Sequence, residues 1–250
     1  MGPVRPGVPT LVSEPAILSP EQLQARLLYR DALMLILDKP AGLAVHPGPK
    51  GGPNLEDLLE GLRFGLPNRP ELAHRLDRDT SGCLVLGRHH RALRRLGRLF
   101  AGGQVDKTYW AVVEGAPPDA QGRIDLPLGR RNQTRGWWMK VDADGLPSIT
   151  DYRVLGHAEG RTWLELHPKT GRTHQLRVHL AALGCPVLGD PIYGHADVRD
   201  PGRAPLHLHA RAIAVPLYAN RPAIAASAPP PAHMLDALTA CGFTSCSPQN

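Results

Sequence analysis

Apolar runs of strand length alternate along this chain with stretches of helical period, and that mixture predicts an α+β domain. A short helix opens at Ser19, with Pro20 at its first position and Gln22 completing a capping box. Residues 33–37 are all apolar and stop before Lys39-Pro40, which reads as a buried strand. Leu55, Leu58, Leu59 and Leu62 recur at helical spacing behind Asn54, with Glu56 and Asp57 in the first turn, so an amphipathic helix capped by Asn54 is expected. Residues 83–86 read as a strand. Residues 88–100 read as a helix with Leu93, Leu96 and Phe100 on one face and Arg88, Arg91, Arg95 and Arg98 on another, closed by Gly102-Gly103. Further strands are expected at residues 107–113 and 210–217, a hairpin at 151–156 and 162–167, and short strand-like pieces within 117–148. A helix over residues 173–183 turns Leu176, Leu180 and Leu183 inward, with Gly184 past its end. Residues 234–238 read as a closing helix. Residues 1–18 form a Pro-rich arm, 19–244 one domain, and 245–250 a frayed tail. No internal repeat, heptad run or long linker interrupts the pattern.

One stretch obeys neither period. His74-Arg75-Leu76-Asp77-Arg78-Asp79-Thr80-Ser81-Gly82 carries two carboxylates, two guanidiniums, an imidazole and two hydroxyls around Leu76. This is a polar loop, anchored by the strand that follows it. Thr80-Ser81-Gly82 is turn chemistry, and Gly82 is free to take positive φ. On these residues alone the loop reads either as a solvated turn with local ion pairs or as a reactive site.

Composition narrows the partners. The net charge is +6, which suits a polyanion. Of the 29 basic residues 24 are Arg and 5 are Lys. Guanidinium forks match phosphate oxygens and stack on bases; an Arg-favouring genome, to which the 26 Gly and 26 Pro also point, explains part of the excess. The Arg face of the helix at residues 88–100 is either a solvated face or a phosphate-contacting surface. Arg130, Arg131, Arg135, Trp137, Trp138 and Lys140 interleave cations with rings, which suits bases splayed from an RNA loop or, equally, packing. The cysteines Cys83, Cys185, Cys241 and Cys246 show neither Cys-x-x-Cys nor zinc spacing. Cys83 and Cys185 read as buried thiols of a reducing compartment, Cys241 and Cys246 as exposed ones near the loose end. The N-terminus lacks a signal-peptide core, and no apolar run approaches the length of a bilayer span. A monomeric, cytoplasmic protein without membrane contact is expected.

The loop resembles the active-site motif of the RluA family of pseudouridine synthases. Other segments follow that family's order: Asp38-Lys39-Pro40-Ala41-Gly42 with His46-Pro47, Lys107-Thr108-Tyr109-Trp110-Ala111, the run from His167 to His179, and Gly189-Asp190-Pro191-Ile192-Tyr193-Gly194. The resemblance implies a bent, mostly antiparallel mixed sheet with flanking helices and an active-site cleft across its middle. It implies that Asp77 is the catalytic carboxylate, Arg177 its basic partner and Tyr109 a base-facing phenol. Arg75 would enter the RNA stack where uridine is extruded, and Leu176 would floor the site. Lys39, His46 and His174 remain structural or substrate-side candidates. Asp79 reads as a loop-stabilising residue.

Pseudouridine formation breaks a carbon–nitrogen bond, turns the uracil over and joins carbon to carbon on the same sugar. Nothing is oxidised and no group is imported, so no cofactor or metal is expected. An ionised carboxylate and a site closed to water are needed. Structured RNA is the expected substrate: a tRNA anticodon stem-loop, a 23S rRNA hairpin or both, with Arg91, Arg95 and Arg131 as RNA contacts. A sister-branch synthase acting elsewhere on tRNA or rRNA is the alternative. A nucleosidase using Asp77 and Asp79 as a carboxylate pair and a non-catalytic RNA binder are readings of other classes.

Overall fold

The computed structural model describes residues 18–48, 51–131, 138–195, 200 and 202–244. The Pro-rich arm up to residue 17, Arg135 and Trp137 of the basic-aromatic cluster, and the tail with Cys246 fall outside them. In chain order the strands are β1 (Leu27–Arg30), β2 (Met34–Lys39), β3 (Glu71–Leu72), β4 (Ser81–Gly87), β5 (Asp106–Glu114), β6 (Gln121–Asp125), β7 (Leu128–Arg130), β8 (Met139–Val141), β9 (Ile149–Ala158), β10 (Arg161–Pro168), β11 (Leu208–Val215) and β12 (Ile224–Ser227). The α-helices are α1 (Pro20–Ala25), α2 (His90–Ala101), α3 (Gln175–Ala182) and α4 (Ala232–Ala240), and a 3-10 helix covers Leu55–Leu62.

The main sheet runs β1-β2-β4-β11-β5-β10-β9-β6, with β12 added on β11 and β3 on β4. Its pairings are antiparallel except where β11 lies parallel to β4, so it is the mostly antiparallel mixed sheet expected. That parallel step joins two halves with separate cores. Leu35, Leu37, Leu55, Leu59, Leu62, Leu84 and Leu86 fill the first, beneath β1, β2 and β4. β5 alternates between two others: Ala111 and Val113 face Leu176 and Leu180 of α3, while Val112 faces Met234 and Leu238 of α4. Tyr109, partly buried, touches both the first core and the α3 core, so it marks the seam.

Several local expectations hold. Ser19 and Gln22 form the reciprocal capping box. The expected hairpin is β9 with β10. Gly184 takes positive φ just past α3. Others need correction. The segment behind Asn54 is a 3-10 helix, and Asn54 does not cap it with its side chain. Its amide instead donates to the Asp57 carboxylate at 2.5 Å, while the Leu55 N–H donates to Ala44 O. α2 begins at His90, with His89 as its cap accepting from the Ala92 N–H. Arg88 therefore leaves the Arg face; its guanidinium turns inward to the carbonyls of Asp31 and Arg63. α3 begins at Gln175 rather than residue 173. Cys241 is buried, not exposed, because α4 presses it against the sheet beside Trp163. Among the described residues no helix is long and apolar enough to cross a membrane.

Candidate active site

The polar loop at residues 74–82 is fixed from both ends. Leu76 is buried in the first core. His74 accepts the Val85 N–H on Nε2 at 3.0 Å and stacks on Phe100 at 4.4 Å. Burial, helped by Lys107, pushes this imidazole down to about 3, so it is neutral and serves as an acceptor. Lys39 is fully buried, and its Nζ donates to the carbonyls of Pro40, Leu43 and Arg78 at 2.7, 2.8 and 2.9 Å. It therefore binds the loop to the end of β2, which assigns it a structural place; His46 pairs with Glu56 away from the cleft. At the far end Ser81 Oγ meets His209 Nδ1 at 2.8 Å, across the parallel step between β4 and β11. Gly82 has φ +104°, and a Cβ there would lie 2.3 Å from Ala210 O, so the exit from the loop requires glycine.

The loop faces a cleft of about 480 Å³, within the usual range for small-molecule sites. The cleft opens over β5 and β11, in the middle of the sheet, through Tyr109 and Leu208. Its opposite wall is the segment from Pro168 to Arg177. Gln175 organises that wall: its Oε1 accepts from Thr170 Oγ1 and the Arg172 N–H, and its Nε2 donates to Ile149 O and Thr150 Oγ1. Of the residues named from sequence, the fold brings Asp77, Tyr109, Arg177, Arg75 and Leu176 to this one cleft. Arg91 and Arg95 are exposed on α2, whose last turn lines the cleft with Phe100 and Ala101. Arg131 is exposed beside β7, its guanidinium 5.5 Å over the Trp138 ring. None of these three lines the cleft.

Asp77 is the only carboxylate among the described residues of the cleft lining. Asp79 pairs with Arg78 instead, at 2.9 and 3.1 Å, which removes the carboxylate pair a glycosidase reading requires. Asp77 Oδ2 lies 3.6 Å from Arg177 Nη1 and 3.7 Å from His174 Nε2. The expected Asp77–Arg177 pairing is thus present but is not the main bond of that guanidinium. Arg177 donates through Nε and Nη2 to both oxygens of Asp190 at 2.7 Å, with the two side chains 4% and 0% exposed. Burial works against the charge on Arg177, and the Asp190 bonds more than reverse it, so the guanidinium is held firmly cationic. Asp190 is pushed up by burial and brought below its ordinary value by Arg177 and by the N–H groups of Ile192 and Tyr193. Burial, then the charge of Asp77, raise the Tyr109 phenol, which stays protonated. Burial chiefly lowers His174, which is neutral at pH 7. Arg75, Lys107, Lys169 and Arg172 add positive charge around a floor of Leu76, Leu176 and Leu208. Among the described residues no group of acidic, His or Cys side chains forms a metal-binding cluster.

Residues 33–182 match the family described as RNA pseudouridylate synthase. The chain belongs to that family. A Zymomonas mobilis relative described as an uncharacterized RNA pseudouridine synthase is 44% identical over 223 residues, covering 88% of this chain and 99% of the relative. Ribosomal large subunit pseudouridine synthase D of Xanthomonas campestris is 41% identical over 71% of this chain, which spans about half (54%) of that protein's length. The solved structure of human RNA pseudouridylate synthase domain containing 4 superimposes with a TM-score of 0.76 at 28% identity, covering 89% of this chain and 95% of that one. The protein is thus an RNA pseudouridine synthase of the RluA type, an isomerase. For a pseudouridine synthase the site holds one carboxylate, a cation beside it, a protonated phenol and an apolar floor. Sequence reasoning placed the Gly189–Gly194 run in the family's order but gave Asp190 and Tyr193 no role in the site, and left His174 as a structural or substrate-side candidate. Nothing local to the Gly189–Gly194 run points toward Arg177.

Proposed function

We propose that this synthase isomerises specific uridines in structured RNA through Asp77, in a large-subunit rRNA hairpin or a tRNA anticodon stem-loop. The observation that carries the reading is Asp77, the one carboxylate among the described residues of the cleft lining, with Arg177 Nη1 at 3.6 Å. The carboxylate acts on the sugar–base unit of an everted uridine. The bond from N1 to the sugar breaks, the uracil turns over, and C5 bonds to the same sugar carbon. The proton displaced from C5 is balanced by the proton gained at N1. Arg177 sets a positive charge beside Asp77, Tyr109 faces the base, and Leu76, Leu176 and Leu208 keep the detached uracil from water. Arg75, beside Asp77 and exposed, fills the place the uridine leaves in the RNA stack. The relatives named for the large ribosomal subunit support an rRNA target, and the β7–β8 hairpin with Arg131 over Trp138 supports a stem-loop.

The test maps pseudouridine in total RNA from cells lacking the protein, complemented with the wild type or with Asp77→Asn. Sites in rRNA or tRNA should vanish on deletion and return only with the wild type. An unchanged map, restoration by Asp77→Asn, or release of free uracil would each overturn the reading.

A further inference from the structure

The strongest feature left over from the chemistry is a line of side chains, hydrogen-bonded from β8 to His174, that ends beside the cleft carboxylate. The Met139 N–H donates to Tyr193 Oη at 2.9 Å. Tyr193 Oη meets His174 Nδ1 at 2.8 Å. His174 Nε2 lies 3.7 Å from Asp77 Oδ2. Because Tyr193 Oη already accepts from Met139, its own proton satisfies both partners when it goes to Nδ1. That choice puts the imidazole proton on Nε2, aimed at Asp77. His174 is neutral, so this single proton decides whether the ring attracts or repels the carboxylate.

Two further observations bear on the same ring. His174 adopts φ 52°, ψ 16°, a left-handed backbone that L residues rarely take, at the N-terminus of α3. Glycine would serve that backbone better, so an imidazole there is explained by what its side chain does. Second, His174 Nε2 and Arg177 Nη1 both approach the same oxygen, Oδ2. The Gly189–Gly194 run supports both donors at once: Asp190 holds Arg177, and Tyr193 holds His174 while its ring lies 5.2 Å from the Arg177 guanidinium. Both separations exceed a hydrogen bond, and a shift of roughly 1 Å would convert either into one.

Resting on the reading of Asp77 above, we propose that His174 is a positioning residue, held by Tyr193 in the Nε2–H tautomer, that fixes Asp77 through Oδ2 and leaves Oδ1 to address the uridine. Tyr193 is the second member of this device. Its bond to Met139 ties the device to the β7–β8 hairpin.

The test follows tritium release from RNA labelled with [5-³H]uridine in cells lacking the protein, with enzyme in excess. It reads the saturating rate and the half-saturating enzyme concentration separately. His174→Gly keeps the backbone conformation and removes the ring. It should lower the saturating rate roughly 10- to 100-fold, the usual consequence of a misplaced reacting group, with the half-saturating concentration unchanged within about twofold. His174→Gln, whose amide N–H can stand where Nε2–H stands, should recover most of the rate. Tyr193→Phe should lower the rate by a smaller factor, since the ring keeps its place but loses control of the tautomer. Wild-type rate in His174→Gly, a loss confined to the half-saturating concentration, or a Gln variant as slow as the Gly variant would overturn the proposal. Asp77→Asn runs alongside. If it is active, the reading of Asp77 fails and takes this proposal with it; if it is inactive while His174→Gly is unimpaired, the positioning role alone fails.

Discussion

Asp190→Asn is the most informative single change to the wall behind the cleft. The substitution keeps the shape and leaves one oxygen to accept from the N–H groups of Ile192 and Tyr193, which now bond to Oδ1 at 2.8 and 3.1 Å. It removes the charge and places an amide N–H₂ against a guanidinium that has only donors. Arg177 is 4% exposed, so the guanidinium would be left inside the protein without a matching anion at its best bonds. Breaking a buried pair on one side generally destabilises by about 3–5 kcal/mol. For a chain of this size each kcal/mol moves the thermal midpoint by about 2–4 °C, so a fall of roughly 10 °C is expected. Calorimetry of the wild type, Asp190→Asn, Arg177→Leu and the double variant measures it as a cycle. The double variant should be less destabilised than the two singles added together, because the second change removes the stranded charge. A fall under about 3 °C, or strict additivity, would refute the claim that Asp190 is the main partner of Arg177.

Two other outcomes follow from the charges. His207 and His209 are 4% and 0% exposed, and burial above all pushes both down to about 4. Unfolded, they take protons near 6.5, so below that value the unfolded state binds more protons and stability falls with pH until about 4. At pH 5 the loss is about 2 kcal/mol for each ring, and urea midpoints at pH 7 and pH 5 should differ accordingly; equal midpoints would refute it. The double variant Arg91→Ala, Arg95→Ala should weaken RNA binding and reduce the slope of log affinity against log salt by about 1 to 2, with the rate of bound RNA little changed. An unaltered slope would exclude this face of α2 from the RNA contact.

Much of the molecule is readable along the chain because its causes are local. The apolar run that became β2, the Ser19–Gln22 capping box, the β9–β10 hairpin and the positive φ of Gly184 past α3 each depend on residues a few positions apart. So does the cleft loop, whose residue types fit neither helix nor strand. Tertiary structure decided what depends on distant partners. The Leu55 N–H went to Ala44 O, outside the segment, and Asn54 spent its amide on Asp57 instead of capping the 3-10 helix that follows. Arg88 left the helix face because carbonyls of Asp31 and Arg63 lay within reach of its long stem. Ser81 found His209 across 128 residues, at the parallel step where the two halves of the sheet meet. Arg177 found Asp190 rather than Asp77 as its closest anion, because a buried guanidinium with five donors takes the carboxylate that can meet two of them face to face. Periodicity records which side of an element is apolar; which charge stands opposite another is decided only when the elements pack.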